Sequence, residues 1–394
     1  MSMSTDSMTS SQLRVELLHV APIEKLRSRT SDKWRSFPGD VLPLPVAEMD
    51  YEIAAPIREK LKAMLEVSDT GYLGPMPELA ISLATFMRTR FNWELDPEQV
   101  FTCTDVGVGM IEMARMVVQP GDGIVINSPV YQNMGNWIDE LKCLRVDAPL
   151  KRDGLFYSLD FAAIESVYKQ GVKLHFLCNP ANPVGTVFTR EDLSTLAELA
   201  HRYGVAIFSD EIHAPLTYDE STFVPFLAVS DTAREVGICV TSASKAWNLA
   251  GLKCAEIVTG SERWAKVAKA MPPSVHWRAS LYGAAAATVA FSCLDWLDSM
   301  VATNDQNRHY LQELLAAELP QIGYRIPNTS YLAWLDLSAL NLGADPRQRL
   351  LDEARVAFSA GALYAADHDQ FIRVNFATSQ EILAEAVKRI ASLA

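Results

Sequence analysis

The sequence predicts an α/β protein, with a large, mainly parallel sheet covered by helices on both faces and a smaller α+β unit beside it. Three observations carry that expectation. Short, wholly apolar runs such as Gly123-Ile124-Val125-Ile126 and Ala206-Ile207-Phe208 recur along the chain, and strands without polar alternation are the kind buried on both faces of a parallel sheet. Amphipathic stretches of helical length separate them, as crossovers between parallel strands require. From about residue 290 the pattern changes to one long helix and a few spaced strands.

Taken in order, residues 1–11 are small, polar and without a basic start or an apolar core, which reads as a disordered tail and not as a signal peptide. Residues 12–50 form an N-terminal segment expected to join the smaller unit. It carries a helix over Arg14 to Arg29 and the extended run Leu42-Pro43-Leu44-Pro45-Val46-Ala47, where two prolines exclude helix. Residues 51–290 form the large unit, and its first helices run from Pro56 to Glu66 and from Pro77 to Phe91, each opening on proline. The Gly71-Tyr72 loop lies between them. Helix is expected at Val108 to Val118, Tyr131 to Leu141 and Arg190 to Tyr203, with strands at 123–127, 174–178, 205–209, 238–241 and 254–258. Residues 291–394 form the small C-terminal unit. Helices are expected over Ala279 to Phe291 and Asp305 to Glu318, and strands at 322–326, 331–335 and 371–375.

Composition narrows the function. The 394 residues carry 35 Lys and Arg against 48 Asp and Glu, a net charge of −13. Nucleic acid and anionic membrane surfaces are bound through clustered cations, and no basic stripe is present. No apolar run reaches membrane-spanning length. Six cysteines are scattered without a C-x-x-C pair, the pattern of buried thiols in a reducing compartment, so a cytoplasmic enzyme is expected. No histidine pair has metal-ligand spacing.

The chemistry gathers just after the apolar strands, where ligands sit in open α/β sheets. Ile238-Cys239-Val240-Thr241 leads into Ser242-Ala243-Ser244-Lys245, a tight turn that presents one lysine. Desolvation favours its neutral amine, a nucleophile toward aldehydes. Asn179-Pro180-Ala181-Asn182-Pro183-Val184-Gly185 forms a rigid turn able to aim an amide. Asp210-Glu211-Ile212-His213 puts a carboxylate at a strand end, where burial demands a cation. Asp105-Val106-Gly107-Val108-Gly109 precedes a helix and offers backbone N–H groups to an anion. Ser128-Pro129-Val130-Tyr131 places an aromatic after another strand. Each has an ordinary structural reading alone; their order does not.

In that order these motifs resemble the aminotransferase superfamily of fold-type I enzymes dependent on pyridoxal 5′-phosphate (PLP). Val46-Ala47-Glu48-Met49-Asp50, the Gly71-Tyr72 loop, Asp210 to Leu216 and Lys245-Ala246-Trp247-Asn248-Leu249-Ala250-Gly251-Leu252 resemble its cystathionine β-lyase, or C–S lyase, branch. The resemblance runs from about Leu26 to the end and implies a role for each position. Lys245 would hold PLP covalently and then move the substrate's Cα proton. Asp210 would pair with the ring nitrogen, and Tyr131 would stack on the ring. Asn182 and His213 would reach the ring oxygen. The backbone of Val108 and Gly109, with Ser242, Ser244 and Lys253, would take the phosphate. Arg373 would grip the substrate carboxylate, with Ala47 and Asn182 beside it. Tyr72 would reach the neighbouring subunit's phosphate, which implies a homodimer with shared sites.

The chain departs from the branch at the substrate mouth. Ala181 stands where histidine is usual, and Gln132-Asn133-Met134 follows the tyrosine where an aromatic is usual. The favoured function is α,β-elimination from a cysteine S-conjugate, cystathionine-like or bulkier, giving a thiol, pyruvate and ammonia. The alternative is an aminotransferase, or a decarboxylating or oxidative PLP enzyme, acting on an amino acid, as a small-molecule substrate, or on an S-cysteinyl conjugate in specialised metabolism. A regulatory PLP-fold protein is a third reading, opposed by the joint presence of Lys245, Asp210 and Arg373.

Overall fold

The computed structural model describes residues 16–393, so the expected tail at 1–11 lies outside the described residues. Seven strands form the large sheet: β1 (Val100–Cys103), β2 (Gly123–Ile126), β3 (Leu144–Asp147), β4 (Leu174–Cys178), β5 (Ala206–Asp210), β6 (Gly237–Thr241) and β7 (Ala255–Thr259). They lie in the order β1-β7-β6-β5-β4-β2-β3. The run from β6 to β3 is parallel throughout, and β7 is antiparallel to both its neighbours. β4, β6 and β7 are buried at every position, as the unbroken apolar runs require.

The elements expected from the sequence are present with shifted ends, except at the N-terminus, and the large sheet gains two strands that were not expected, β1 and β3. Of the helix expected over Arg14 to Arg29, the described residues form one turn, Ile23–Leu26, behind Pro22; proline ends any helix arriving from the N-terminal side, and Val20 instead bridges to Tyr51. The edge strand β3 carries exposed Leu144 and Arg145, so no apolar run marks it. β1 is likewise only partly buried.

A second, antiparallel sheet holds β8 (Gly323–Tyr324), β9 (Leu332–Asp336), β10 (Ser359–Ala360) and β11 (Phe371–Asn375), in the order β8-β9-β11-β10. The 25-residue helix Leu294–Glu318 precedes it. The extended segment after Asp40 crosses to this part of the chain: Leu42 and Pro43 pair in parallel with Val356 and Ala357. Asn375 N–H then donates to Leu44 O at 2.8 Å, and Asp50 N–H to Ala377 O at 2.9 Å. Lys33 and Asp50 form a buried ion pair at 2.8 Å, and Trp34 Nε1 donates to the same carboxylate at 3.0 Å. These contacts fix residues 45–48 where they meet the ends of the large sheet. All six cysteines are free thiols, and no single helix among the described residues is long and apolar enough to cross a membrane.

Candidate active site

β4, β5 and β6 run side by side and end at Cys178, Asp210 and Thr241. A cavity of about 460 Å³ opens at those carboxyl ends, closed from the other side by Pro45 to Ala47 and by Arg373 of β11. Lys245 enters it from a single helical turn, Ala243–Ala246, capped by Ser242. Ser242 Oγ accepts from Ser244 N–H at 3.0 Å and donates to Cys254 O at 2.6 Å, so the cap also pins the turn to the start of β7. Lys245 Nζ donates to Ala47 O at 3.1 Å. Burial, reinforced by the Arg373 guanidinium, brings its ammonium down from an ordinary 10.5 to about 8. The amine is thus half neutral near that pH.

Asp210 lies at the last position of β5 and is buried. Its Oδ1 accepts from Ile212 N–H at 3.1 Å, yet it makes no ion pair among the described residues. Burial pushes its carboxyl up to about 6, against a smaller opposing pull from the Ile212 N–H and from Lys245. A buried carboxylate left this way lacks a cation. His213, also buried, is pushed down to about 3 by burial and by the charges of Lys245 and Arg373, and is therefore neutral at physiological pH. Ser330 Oγ meets its Nδ1 at 3.1 Å, leaving Nε2 for the cavity. Tyr131 forms the N-terminal boundary of the helix Gln132–Glu140. Asn133 Nδ2 donates to its hydroxyl at 2.6 Å, and Trp137 meets its ring edge-on at 5.9 Å.

Arg373 pairs across β11 with Trp334 on one side and Ser359 on the other. Its Nη1 donates to Asn182 Oδ1 at 3.1 Å and its Nη2 to Pro45 O at 2.9 Å, while Tyr364 faces the guanidinium at 5.1 Å. Its Nε is buried without a partner. An arginine held by two neutral oxygens and still carrying an open donor is poised for a carboxylate. The Ala47 carbonyl lines the same cavity but turns to Lys245 and to the Tyr331 hydroxyl, at 3.0 Å from the latter. Pro45 is the backbone neighbour that Arg373 contacts.

At the other end of the cavity, Asp105 caps the helix Val106–Arg115. Its side chain takes the Val108 N–H at 2.9 Å, and its carbonyl takes that of Gly109. Those two amides, expected to face a phosphate, are therefore committed within the helix, and the Cα of Gly109 faces Cys103, Val240 and Ile257 of the core. The uncommitted donors are two residues earlier, at Val106 and Gly107, and both residues line the cavity. Aspartate as an N-cap was the signal that would have placed them. Ser244 and Lys253 also line the cavity; Lys253 pairs with Asp105 at 3.2 Å. Ser242 is buried in its cap and does not line it. Tyr72 is 88% exposed, packed edge-on to Trp277 at 6.5 Å and outside the cavity.

Each open valence suits one part of PLP. The partly neutral lysine suits the aldehyde, the unpaired Asp210 suits a protonated ring nitrogen, and the free amides of Val106 and Gly107 with Lys253 suit a phosphate. Asn182 and neutral His213 suit the ring oxygen, and Tyr131 the ring face. Fold and site together define a fold-type I, PLP-dependent enzyme.

Comparison with known proteins places it more narrowly. The chain belongs to the aminotransferase class I and II family, which it matches over residues 40–390, and lies in that family's C–S lyase branch. It is 34% identical to the cystathionine beta-lyase of Corynebacterium glutamicum, over 94% of this chain and 98% of that one. It is 30% identical to the cystathionine beta-lyase PatB of Bacillus subtilis, over 89% and 92%. Cystalysin of Treponema denticola, whose crystal structure contains PLP, shares the fold with a TM-score of 0.90 at 23% identity, over 96% of this chain and 98% of that one.

Proposed function

We propose that this enzyme is a C–S β-lyase that removes a thiol from a cysteine S-conjugate by α,β-elimination. One S-conjugate and one water give the thiol, pyruvate and ammonium. When bound, PLP supplies the electron sink for the pair left at Cα. The chain's own residues do the rest. Arg373, oriented by Asn182 and Pro45 O, binds the α-carboxylate and so sets which Cα bond faces Lys245. Lys245 Nζ takes the Cα proton, and its lowered pKa keeps a useful share of free amine near neutrality. The proton gained on Nζ balances the charge of the departing thiolate. Asp210 would hold a proton on the ring nitrogen of the bound cofactor, and neutral His213 with Asn182 would orient its ring oxygen.

The observation that carries this reading is the meeting of Lys245, Asp210 and Arg373 in one cavity in a chain similar over nearly its whole length to two cystathionine beta-lyases. Exposed Tyr72 beside Trp277 supports a homodimer in which Tyr72 completes the neighbouring subunit's site. The deciding experiment assays pyruvate, ammonium and thiol in parallel over a panel of cysteine S-conjugates. Equal release of the three, absent in Lys245→Ala, is the expected result. Amino transfer that depends on an added keto acid, without pyruvate, would make the enzyme an aminotransferase.

A further inference from the structure

Burial and the nearby cations keep His213 neutral, so its ring carries a single N–H, and the hydrogen bond at one nitrogen decides what the other can offer. Nδ1 faces Ser330 Oγ at 3.1 Å; both residues are buried, and neither atom has a second partner among the described residues. Two arrangements are open. If Nδ1 carries the proton and Ser330 accepts it, the serine's own proton is left without an acceptor in a buried place, which is costly. If Ser330 donates to Nδ1, the imidazole proton must sit on Nε2, the nitrogen left for the cavity that His213 lines. Only the second arrangement uses every group.

The backbone around Ser330 is shaped for that contact. Its φ of +71° lies in the left-handed region, uncommon for a residue with a side chain. Ser330 N–H donates to Leu216 O at 3.0 Å, and the Tyr218 hydroxyl donates to Ser330 O at 2.5 Å. Thr329 Oγ1 reaches His213 O at 3.4 Å. The stretch that carries His213 and the turn that carries Ser330 are thus bound together, and a disfavoured backbone held this firmly is characteristic of functional sites. The charged groups facing His213 are Lys245 and Arg373, and the Tyr331 ring lies 6.4 Å away; none of them bonds Nδ1.

We propose that Ser330 is a positioning residue: its hydroxyl donates to His213 Nδ1, keeps the imidazole proton on Nε2 and so presents a donor, not a lone pair, to the ring oxygen of the cofactor. This rests on the place of His213 beside that oxygen and holds whether turnover ends in elimination or in amino transfer. A donor there draws negative charge from the oxygen and loosens its hold on the proton beside it, on the Lys245 nitrogen. Nitrogen-15 NMR of ring-labelled histidine in the cofactor-free protein, with His213 assigned by its loss in His213→Gln, is expected to show Nε2 protonated and Nδ1 not. Ser330→Gly suits the left-handed backbone and removes only the hydroxyl. It should shift the tautomer ratio about three- to tenfold toward Nδ1–H, the range of one neutral hydrogen bond. Ser330→Cys, a weaker donor in the same place, falls between the two and keeps the test decisive if the glycine variant folds poorly. In the PLP-loaded enzyme Ser330→Gly raises the pH midpoint of the visible band. A proton on Nδ1 in the wild type, or a ratio unchanged in both variants, overturns the inference. A shifted ratio with an unmoved band overturns the role at the ring oxygen. Neither failure touches the lyase reading, which stands or falls on pyruvate release.

Discussion

Replacing Asp210 by Asn separates the two situations in which this carboxylate finds itself. In the cofactor-free protein it is buried, takes one backbone N–H and has no cation. Its pKa of about 6, raised from 3.8, corresponds to about 3 kcal/mol at 1.36 kcal/mol per unit. The folded value lies above the unfolded one, so this contribution is fully present below pH 3.8 and is lost as pH rises through 6. Asn keeps the acceptor for Ile212 N–H but buries an unpaired amide N–H at a cost of about 1 kcal/mol. The cofactor-free variant is therefore expected to exceed the wild type by about 2 kcal/mol at pH 7.5. At roughly 2.1 cal/mol/K per residue for 394 residues, that is a rise in Tm of about 2 to 3 °C. With PLP the order reverses, because only the carboxylate gains from a protonated ring nitrogen. Calorimetric scans of both proteins, with and without PLP at pH 5 and 7.5, test this. A variant less stable than wild type without PLP, or a PLP-induced shift of equal size in both, would refute the assignment of Asp210 as a carboxylate waiting for a cation.

Two further outcomes follow from groups outside that pair. Glu256 on β7 is buried, with Oε1 near the Cys254 thiol at 3.6 Å and Oε2 unpartnered, and burial raises its pKa from 4.5 to about 8. Its stabilising contribution is present below pH 4.5 and lost as pH rises through 8, so Glu256→Gln should remove from the wild-type decline between pH 5 and 9 a component on the order of 5 kcal/mol; chemical denaturation at both pH values measures it, and parallel declines would count against a buried neutral acid. Arg373→Lys keeps one charge but loses the second donor that reaches Pro45 O, and kcat/KM should fall about a hundredfold, mainly through KM, with the visible band of bound PLP unchanged.

What could be read from the sequence was whatever depends on strand ends. Asp210, Lys245 and the Asn182 turn each follow an apolar run, and such runs end where ligands bind. The strand over Phe371 to Asn375 matched residue for residue, which placed Arg373. Direction and edges were less accessible: an apolar run does not reveal that β7 is antiparallel, and an edge strand such as β3, with Leu144 and Arg145 in solvent, carries no run at all. The free amides before that helix were not legible because a glycine pair suggests donors at 108 and 109 and conceals the cap. Once Asp105 takes the Val108 N–H, helix geometry leaves the free amides at 106 and 107. Contacts made by backbone carbonyls could not be read, since any residue type supplies one.

Those carbonyls tie the two working ends of the site together. Between Pro45 and Met49 the chain contributes backbone to both: Pro45 O to Arg373, Ala47 O to Lys245. Asn375, two positions beyond Arg373, holds Val46 O at 2.7 Å and Glu48 O at 2.6 Å. Asn248, three positions beyond Lys245, takes Met49 N–H at 3.0 Å and donates to Met49 O at 2.9 Å. The strand that presents the carboxylate-binding arginine and the turn that presents the lysine thus grip the same five residues from opposite sides. The chain is extended only at Leu42 and Pro43; it bends at residues 45–47, where Glu48 N–H closes on Val46 O at 2.9 Å. In that bent path the carbonyls of 45 and 47 meet Arg373 and Lys245, while those of 46 and 48 take the amide of Asn375. The spacing of Lys245 Nζ and Arg373 is in this way tied to one backbone segment; of the two departures expected at the mouth, Gln132 lines the cavity, whereas Ala181 is buried in the core outside it.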